Sequence, residues 1–155
     1  MLYTSIKTKI GIIYLLSDGH SLTALDFHKN ESHLLAKLDR NFLLFKKVEK
    51  QLNEYLDGKR KIFDIPLNPN GTEFQKLAWK TLLKIPYGST LSYGEQAKKM
   101  NKPKAFRATG SANGKNPIPV IIPCHRIITS DGKLGGYSGE LKLKKLLLKL
   151  EGNQF

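Results

Sequence analysis

Apolar residues first fall into a strand-like run. Lys9-Ile10-Gly11-Ile12-Ile13-Tyr14-Leu15-Leu16 is rich in β-branched and aromatic residues and ends at turn residues, Ser17-Asp18-Gly19-His20. Ser21 to Phe27 reads as the hairpin partner. The period then changes. Leu34, Leu35, Leu38 and Phe42 recur at helical spacing, and Val48, Leu52, Tyr55 and Leu56 do so again before a stop at Asp57-Gly58. Lys61 to Leu67 predicts a further strand, and Asn68-Pro69-Asn70-Gly71 a boundary.

The second half is patterned as helix and loop. Thr72 predicts the cap of a helix that buries Phe74, Leu77, Ala78, Leu82 and Leu83, with Trp79 in the core and an end at Ile85-Pro86-Tyr87-Gly88. Ser92 and Glu95 fit a capping box for the next helix. Asn101-Lys102-Pro103 breaks that helix, and Pro103 suits the first turn of another running through Ala105, Phe106, Arg107, Ala108, Thr109 and Ala112. Two short helices joined by a tight turn, the second carrying Lys104 and Arg107, have the form of a helix-turn-helix. Gly110 and Ser111 sit inside that second helix, where glycine is costly. Close approach to a phosphate backbone and plain helix packing explain them equally well. A basic last helix, Lys142 to Leu150, closes at Glu151-Gly152.

Charge sharpens this picture. The chain has 155 residues and a net charge of +13. Residues 1–70 carry 11 basic and 8 acidic residues, whereas residues 71–155 carry 15 and 5. A generally lysine-rich composition is the alternative; the asymmetry argues against it, and the second half is expected to meet a polyanion, nucleic acid first. No apolar run is long enough to span a membrane. The N-terminus, Met1-Leu2-Tyr3-Thr4-Ser5-Ile6-Lys7, lacks a signal-peptide layout, which implies a cytoplasmic protein. One cysteine excludes an intramolecular disulfide and argues against a zinc site. His20, His28 and His33 read as surface or structural residues.

That one cysteine stands in Pro123-Cys124-His125-Arg126, after the apolar run Ile118-Pro119-Val120-Ile121-Ile122. A thiol beside a base suits nucleophilic chemistry, and a buried core thiol fits the spacing equally well. Downstream, Leu134-Gly135-Gly136-Tyr137-Ser138-Gly139 is a small-residue loop able to wrap a flat ligand.

Taken together, Asn116-Pro117-Ile118-Pro119, Ile122-Pro123-Cys124-His125-Arg126-Ile127-Ile128, Gly135-Gly136-Tyr137-Ser138-Gly139, then Lys144, Leu147, Leu148 and Glu151-Gly152 resemble the O6-alkylguanine-DNA alkyltransferase family. Phe74-Gln75, Trp79, Ile85-Pro86, Gly88, Thr90, Ser92-Tyr93-Gly94 and Arg107-Ala108 extend the likeness at matching spacing. The match is close over residues 72–152 and covers the first 70 only in layout. It implies an α/β (α+β) protein. A small ribonuclease-H-like domain of sheet and helix would span 1–70, and a mostly helical, winged-helix-like DNA-binding and alkyl-transfer domain 71–155.

The resemblance also implies a function. The protein would act as a monomer, without cofactor or metal, on double-stranded DNA containing O6-alkylguanine and on O4-alkylthymine. It would move the alkyl group onto Cys124 once and irreversibly. Glu151 would orient His125, which draws the thiol proton through a water, and Asn116 would tie the cysteine loop to the turn before it. Tyr93 would place its hydroxyl at the base, and Ser138 would face O6. The carbonyls of Cys124 and Ile127 would accept from the exocyclic amine, while Pro119 and Tyr137 line the alkyl pocket. Arg107 would fill the place of the extruded base, with Lys104, Ala108, Gly110 and Ser111 against the minor groove. One departure is Glu140, which stands where the family usually has glycine. A damage sensor, a helix-turn-helix regulator and a thiol hydrolase are the rival readings. The regulator is disfavoured by the lack of a separate effector domain, the hydrolase by the charge and the base-wrapping loop.

Overall fold

The computed structural model describes residues 1–135 and 141–155, in two compact units that meet at Asn70/Gly71. The first unit is built on a four-stranded sheet of order β3-β2-β1-β4. Strand β1 (Leu2–Thr8) pairs antiparallel with β2 (Gly11–Ser17), and β2 with β3 (Leu22–Asp26). The β2–β3 turn is fixed by Asp18, whose Oδ1 accepts the amides of His20 at 2.9 Å and Ser21 at 2.8 Å. The apolar pattern does not mark strand β1, because its buried positions are Thr4 and Ile6 and the hydroxyl dilutes the alternation.

The stretch 34–42 departs from the expected helix. Helix α1 is only Glu31–Leu34, and Lys37–Leu38 forms β4, which pairs parallel with β1. Leu34, Leu35 and Leu38 are exposed, so their helical spacing marks no buried face. Helix α2 (Leu43–Leu56) buries Phe45, Val48, Leu52, Tyr55 and Leu56 and packs on β1. Residues 61–67 form no strand, only a bridge from Leu67 to Leu22.

In the second unit, α3 (Glu73–Leu83) starts at the Thr72/Gln75 capping box and buries Ala78, Trp79 and Leu82, while Leu83 faces solvent. Strand β5 (Leu91–Ser92) pairs parallel with β6 (Ile127–Ile128). Helix α4 (Tyr93–Lys99) carries the Ser92/Glu95 box. Helix α5 (Phe106–Gly114) follows a six-residue connection, so Pro103 lies in the turn before it rather than in its first turn. Helix α6 (Leu141–Leu150) packs on a 3-10 turn, Cys124–Arg126. Helices α3, α4 and α5 pack on one another and leave one face of α5 free.

Candidate active site

Residues 116–126 form a tightly bonded loop. The Asn116 side chain donates from Nδ2 to the Ile122 carbonyl at 2.8 Å and accepts the Ile118 amide at 2.9 Å. Within this loop Val120 has φ 75°, a left-handed conformation that costs a β-branched residue about 1–3 kcal/mol. Surrounding bonds and burial therefore hold the chain where it would not rest alone. The loop delivers Cys124, buried, to the start of the 3-10 turn, where its carbonyl accepts the Ile127 amide.

His125 and Glu151 meet in the interior. His125 Nε2 lies 2.8 Å from Glu151 Oε2. A carboxylate accepts only, so Nε2 carries the hydrogen and Nδ1 is the bare, basic nitrogen. That Nδ1 is buried and has no hydrogen-bond partner among the described residues. Burial holds the imidazole below its ordinary pKa, against the opposing pull of Glu151, so it is neutral near pH 7. A neutral histidine with one nitrogen anchored and the other bare is a base in waiting.

Two further residues complete the charge pattern. Arg126 donates to both Glu151 oxygens, Nε to Oε1 at 2.8 Å and Nη2 to Oε2 at 3.0 Å, and its Nη1 reaches the Ile85 carbonyl at 2.7 Å. The bidentate pair keeps Glu151 ionised and ties it to the end of α3. Lys144 on α6 is 0% exposed. Burial pulls it from 10.5 to about 8, and the charge of Cys124 works in the opposite direction. Lys144 and Cys124 are thus electrostatically linked, and a negative sulfur favours the ammonium. Neither residue received a role from the sequence. The available signal was a lysine on the apolar stripe Lys144, Leu147, Leu148, Glu151 of an amphipathic helix.

Tyr93 opens α4. A Cβ at Gly110 of α5 would lie 3.5 Å from its ring, and one at Gly135, where φ is 70°, would lie 3.4 Å from its hydroxyl. Burial first, and the Cys124 charge second, raise the Tyr93 pKa, so the hydroxyl stays protonated and can donate. Gly110 thus has a direct packing reason. Pro119 and Ile127 are buried beside the cysteine loop. Lys104, Arg107, Ala108 and Ser111 are exposed on and beside α5. Tyr137 and Ser138, with Glu140, lie outside the described residues. Among the described residues no cluster of metal-ligating side chains occurs, and no helix is long and apolar enough to cross a membrane.

Comparison with known proteins agrees with this architecture. A family described as 6-O-methylguanine DNA methyltransferase, DNA binding domain, matches residues 73–153, and its ribonuclease-like domain matches residues 1–69. The chain is 47% identical to a methylated-DNA–protein-cysteine methyltransferase of Methanosarcina barkeri over 99% of this chain and 98% of that one. It is 43% identical to a protein of the same name from Haemophilus influenzae, over 96% and 85%. A crystal structure of Mycobacterium tuberculosis OGT in complex with DNA superposes with a TM-score of 0.91 at 44% identity, covering 97% of this chain and 92% of that one. With both domains matched and full-length relatives at this identity, the chain belongs to the 6-O-methylguanine DNA methyltransferase family, the methylated-DNA–protein-cysteine methyltransferases.

Proposed function

We propose that the protein repairs double-stranded DNA by direct reversal, moving the alkyl group of O6-alkylguanine, and of O4-alkylthymine, onto Cys124. The observation that carries the assignment to this residue is the bare, buried Nδ1 of His125, anchored through Nε2 to Glu151 and next in sequence to the chain's one cysteine. An ordinary thiol is mostly protonated at neutral pH. His125 takes its proton through a water, and the Lys144 ammonium stabilises the thiolate. The sulfur attacks the alkyl carbon, forming the S–C bond as the C–O6 bond breaks. The electron pair passes to the guanine, which takes up a proton, with Tyr93 as the donor meeting the growing charge. One proton leaves the thiol and one reaches the base. The product is a buried thioether, whose C–S bond is stable, so each molecule reacts once.

A base inside a duplex is out of reach of a buried thiol, so the nucleotide must be extruded at a cost of about a few kcal/mol. Arg107 enters the vacated place, and the small exposed residues Ala108 and Ser111 let α5 sit deep in a narrow groove. Lys104 contacts phosphate. Pro119 and Tyr137 wall the alkyl pocket, Ser138 faces O6, and the Cys124 and Ile127 carbonyls read the exocyclic amine. The protein acts as a monomer, in a reducing compartment such as the cytoplasm, where the thiol stays available.

Intact mass after incubation with a methylated-guanine duplex tests this reading. The expected result is a stoichiometric gain of one methyl, absent in Cys124→Ser. Tight binding without any mass change would make the protein a damage sensor instead.

A further inference from the structure

Two side-chain amides are sealed between the helices of the DNA-facing pair. Gln96 of α4 is 0% exposed and Asn113 of α5 is 5% exposed. Gln96 Nε2 donates to Asn113 Oδ1 at 3.0 Å, and Asn113 Nδ2 donates back to Gln96 Oε1 at 2.7 Å. The second Gln96 hydrogen goes to the Ala78 carbonyl of α3 at 3.2 Å. At the same level Trp79 Nε1 of α3 donates to the Ala112 carbonyl at 2.9 Å. Three helices are therefore joined by directional bonds at one height in an otherwise apolar interface.

We infer that the Gln96–Asn113 pair is a positioning device that fixes the register of α5 against α4, so that Arg107 and Tyr93 act on the same nucleotide. This rests on the alkyl-transfer reading above. Apolar contacts tolerate sliding, whereas an amide pair does not. A one-residue slip of α5 moves it 1.5 Å along its axis and turns it by about 100°. Both bonds then break, leaving buried amides unsatisfied at about 1–3 kcal/mol each.

What that register controls follows from helical spacing. Three residues before Gln96 on α4 is Tyr93, and three before Asn113 on α5 is Gly110. These two also meet, Tyr93 lying against the Gly110 backbone. Tyr93/Gly110 and Gln96/Asn113 are thus successive rungs of one helix contact, since positions three apart share a face. One turn further back on α5 is Arg107, exposed. Gln96 and Asn113 touch neither DNA nor the reacting atoms. They set the offset between the residue that enters the duplex and the hydroxyl that meets the extruded base. Misplacement on the ångström scale costs about a hundredfold in a positioned reaction.

The test is the double variant Gln96→Met with Asn113→Leu. Replacing both partners by apolar groups is close to neutral for stability. Its melting temperature should stay within a few degrees of the parent protein. Methyl transfer from a duplex should slow by about tenfold or more, and reaction with free O6-methylguanine base by less than about threefold. A duplex rate equal to that of the parent would overturn the proposal, as would equal losses on both substrates. A readout on the unaltered chain keeps it falsifiable if the variant fails to fold. The side-chain amide protons of Gln96 and Asn113 should exchange slowly with solvent and stay protected when duplex binds Cys124→Ser. Fast exchange in either state would also overturn it. If the parent protein itself gains no methyl from duplex, the alkyl-transfer reading fails, while amide protection still decides whether the register is held.

Discussion

Lys144→Met should make the protein more stable and less reactive. Lys144 is 0% exposed on α6 and is pulled from 10.5 to about 8. Each pKa step of one is about 1.4 kcal/mol of preference between protonation states, so this fall is about 3 kcal/mol against burying the ammonium. The sign follows from proton counting. Below pH 8 both folded and unfolded chains carry the charge, and folding bears the whole penalty. Between pH 8 and about 10.5 the unfolded chain still binds the proton and the folded chain has released it. Stability therefore rises with pH across that window and levels off above it. Methionine matches the lysine stem in length and removes the charge.

The assay is urea denaturation of both proteins from pH 7 to pH 10.5, read as the difference between them. The variant should gain up to about 3 kcal/mol at pH 7, less whatever contacts the ammonium makes, and the gain should shrink across pH 8 to 10.5. A difference that stays flat with pH would refute the reasoning, whatever its size at pH 7. The same substitution removes a cation whose charge couples to that of Cys124, so the methyl-transfer rate should fall at neutral pH and its pH profile should move upward.

Three other outcomes follow from the same geometry. Glu151→Gln leaves the buried Arg126 guanidinium without its carboxylate, so unfolding should become easier by about 3–5 kcal/mol, and adding Arg126→Leu should recover part of it in urea denaturation. His125 is held neutral by burial, so the unfolded chain binds the extra proton and stability should fall as pH drops below about 6.5, by up to about 1.4 kcal/mol per pH unit. His125→Asn should remove that slope between pH 7 and 5.5. Arg107→Ala should slow repair of duplex more than reaction with free O6-methylguanine base, as rate constants on the two substrates will show.

Local chemistry carried much of this in the sequence. The Thr72 cap, the Ser92/Glu95 capping box, the Asp57-Gly58 stop and the Trp79 core position all depend on neighbours within a few residues, and pattern reading reaches that far. The failures were of another kind. Strand β1 is held by its pairing with β2 and buries a threonine, and β4 exists only because β1 lies beside it. Leu34, Leu35 and Leu38 mimic a helix face that the sheet edge overrides. In the site, family likeness reaches His125 with Glu151 but gives no role to Arg126 and Lys144, although both stand inside the shared motifs. Their roles come from burial, and a motif does not state burial. Buried Arg126 and Lys144 are cations, buried Glu151 is an anion, and His125 is held neutral. Among these described groups the charge balances only when Cys124 is a thiolate. The same arrangement that makes folding harder by burying Lys144 therefore favours the reactive form of the sulfur, and the energy it costs in the resting protein lowers the barrier to losing the thiol proton.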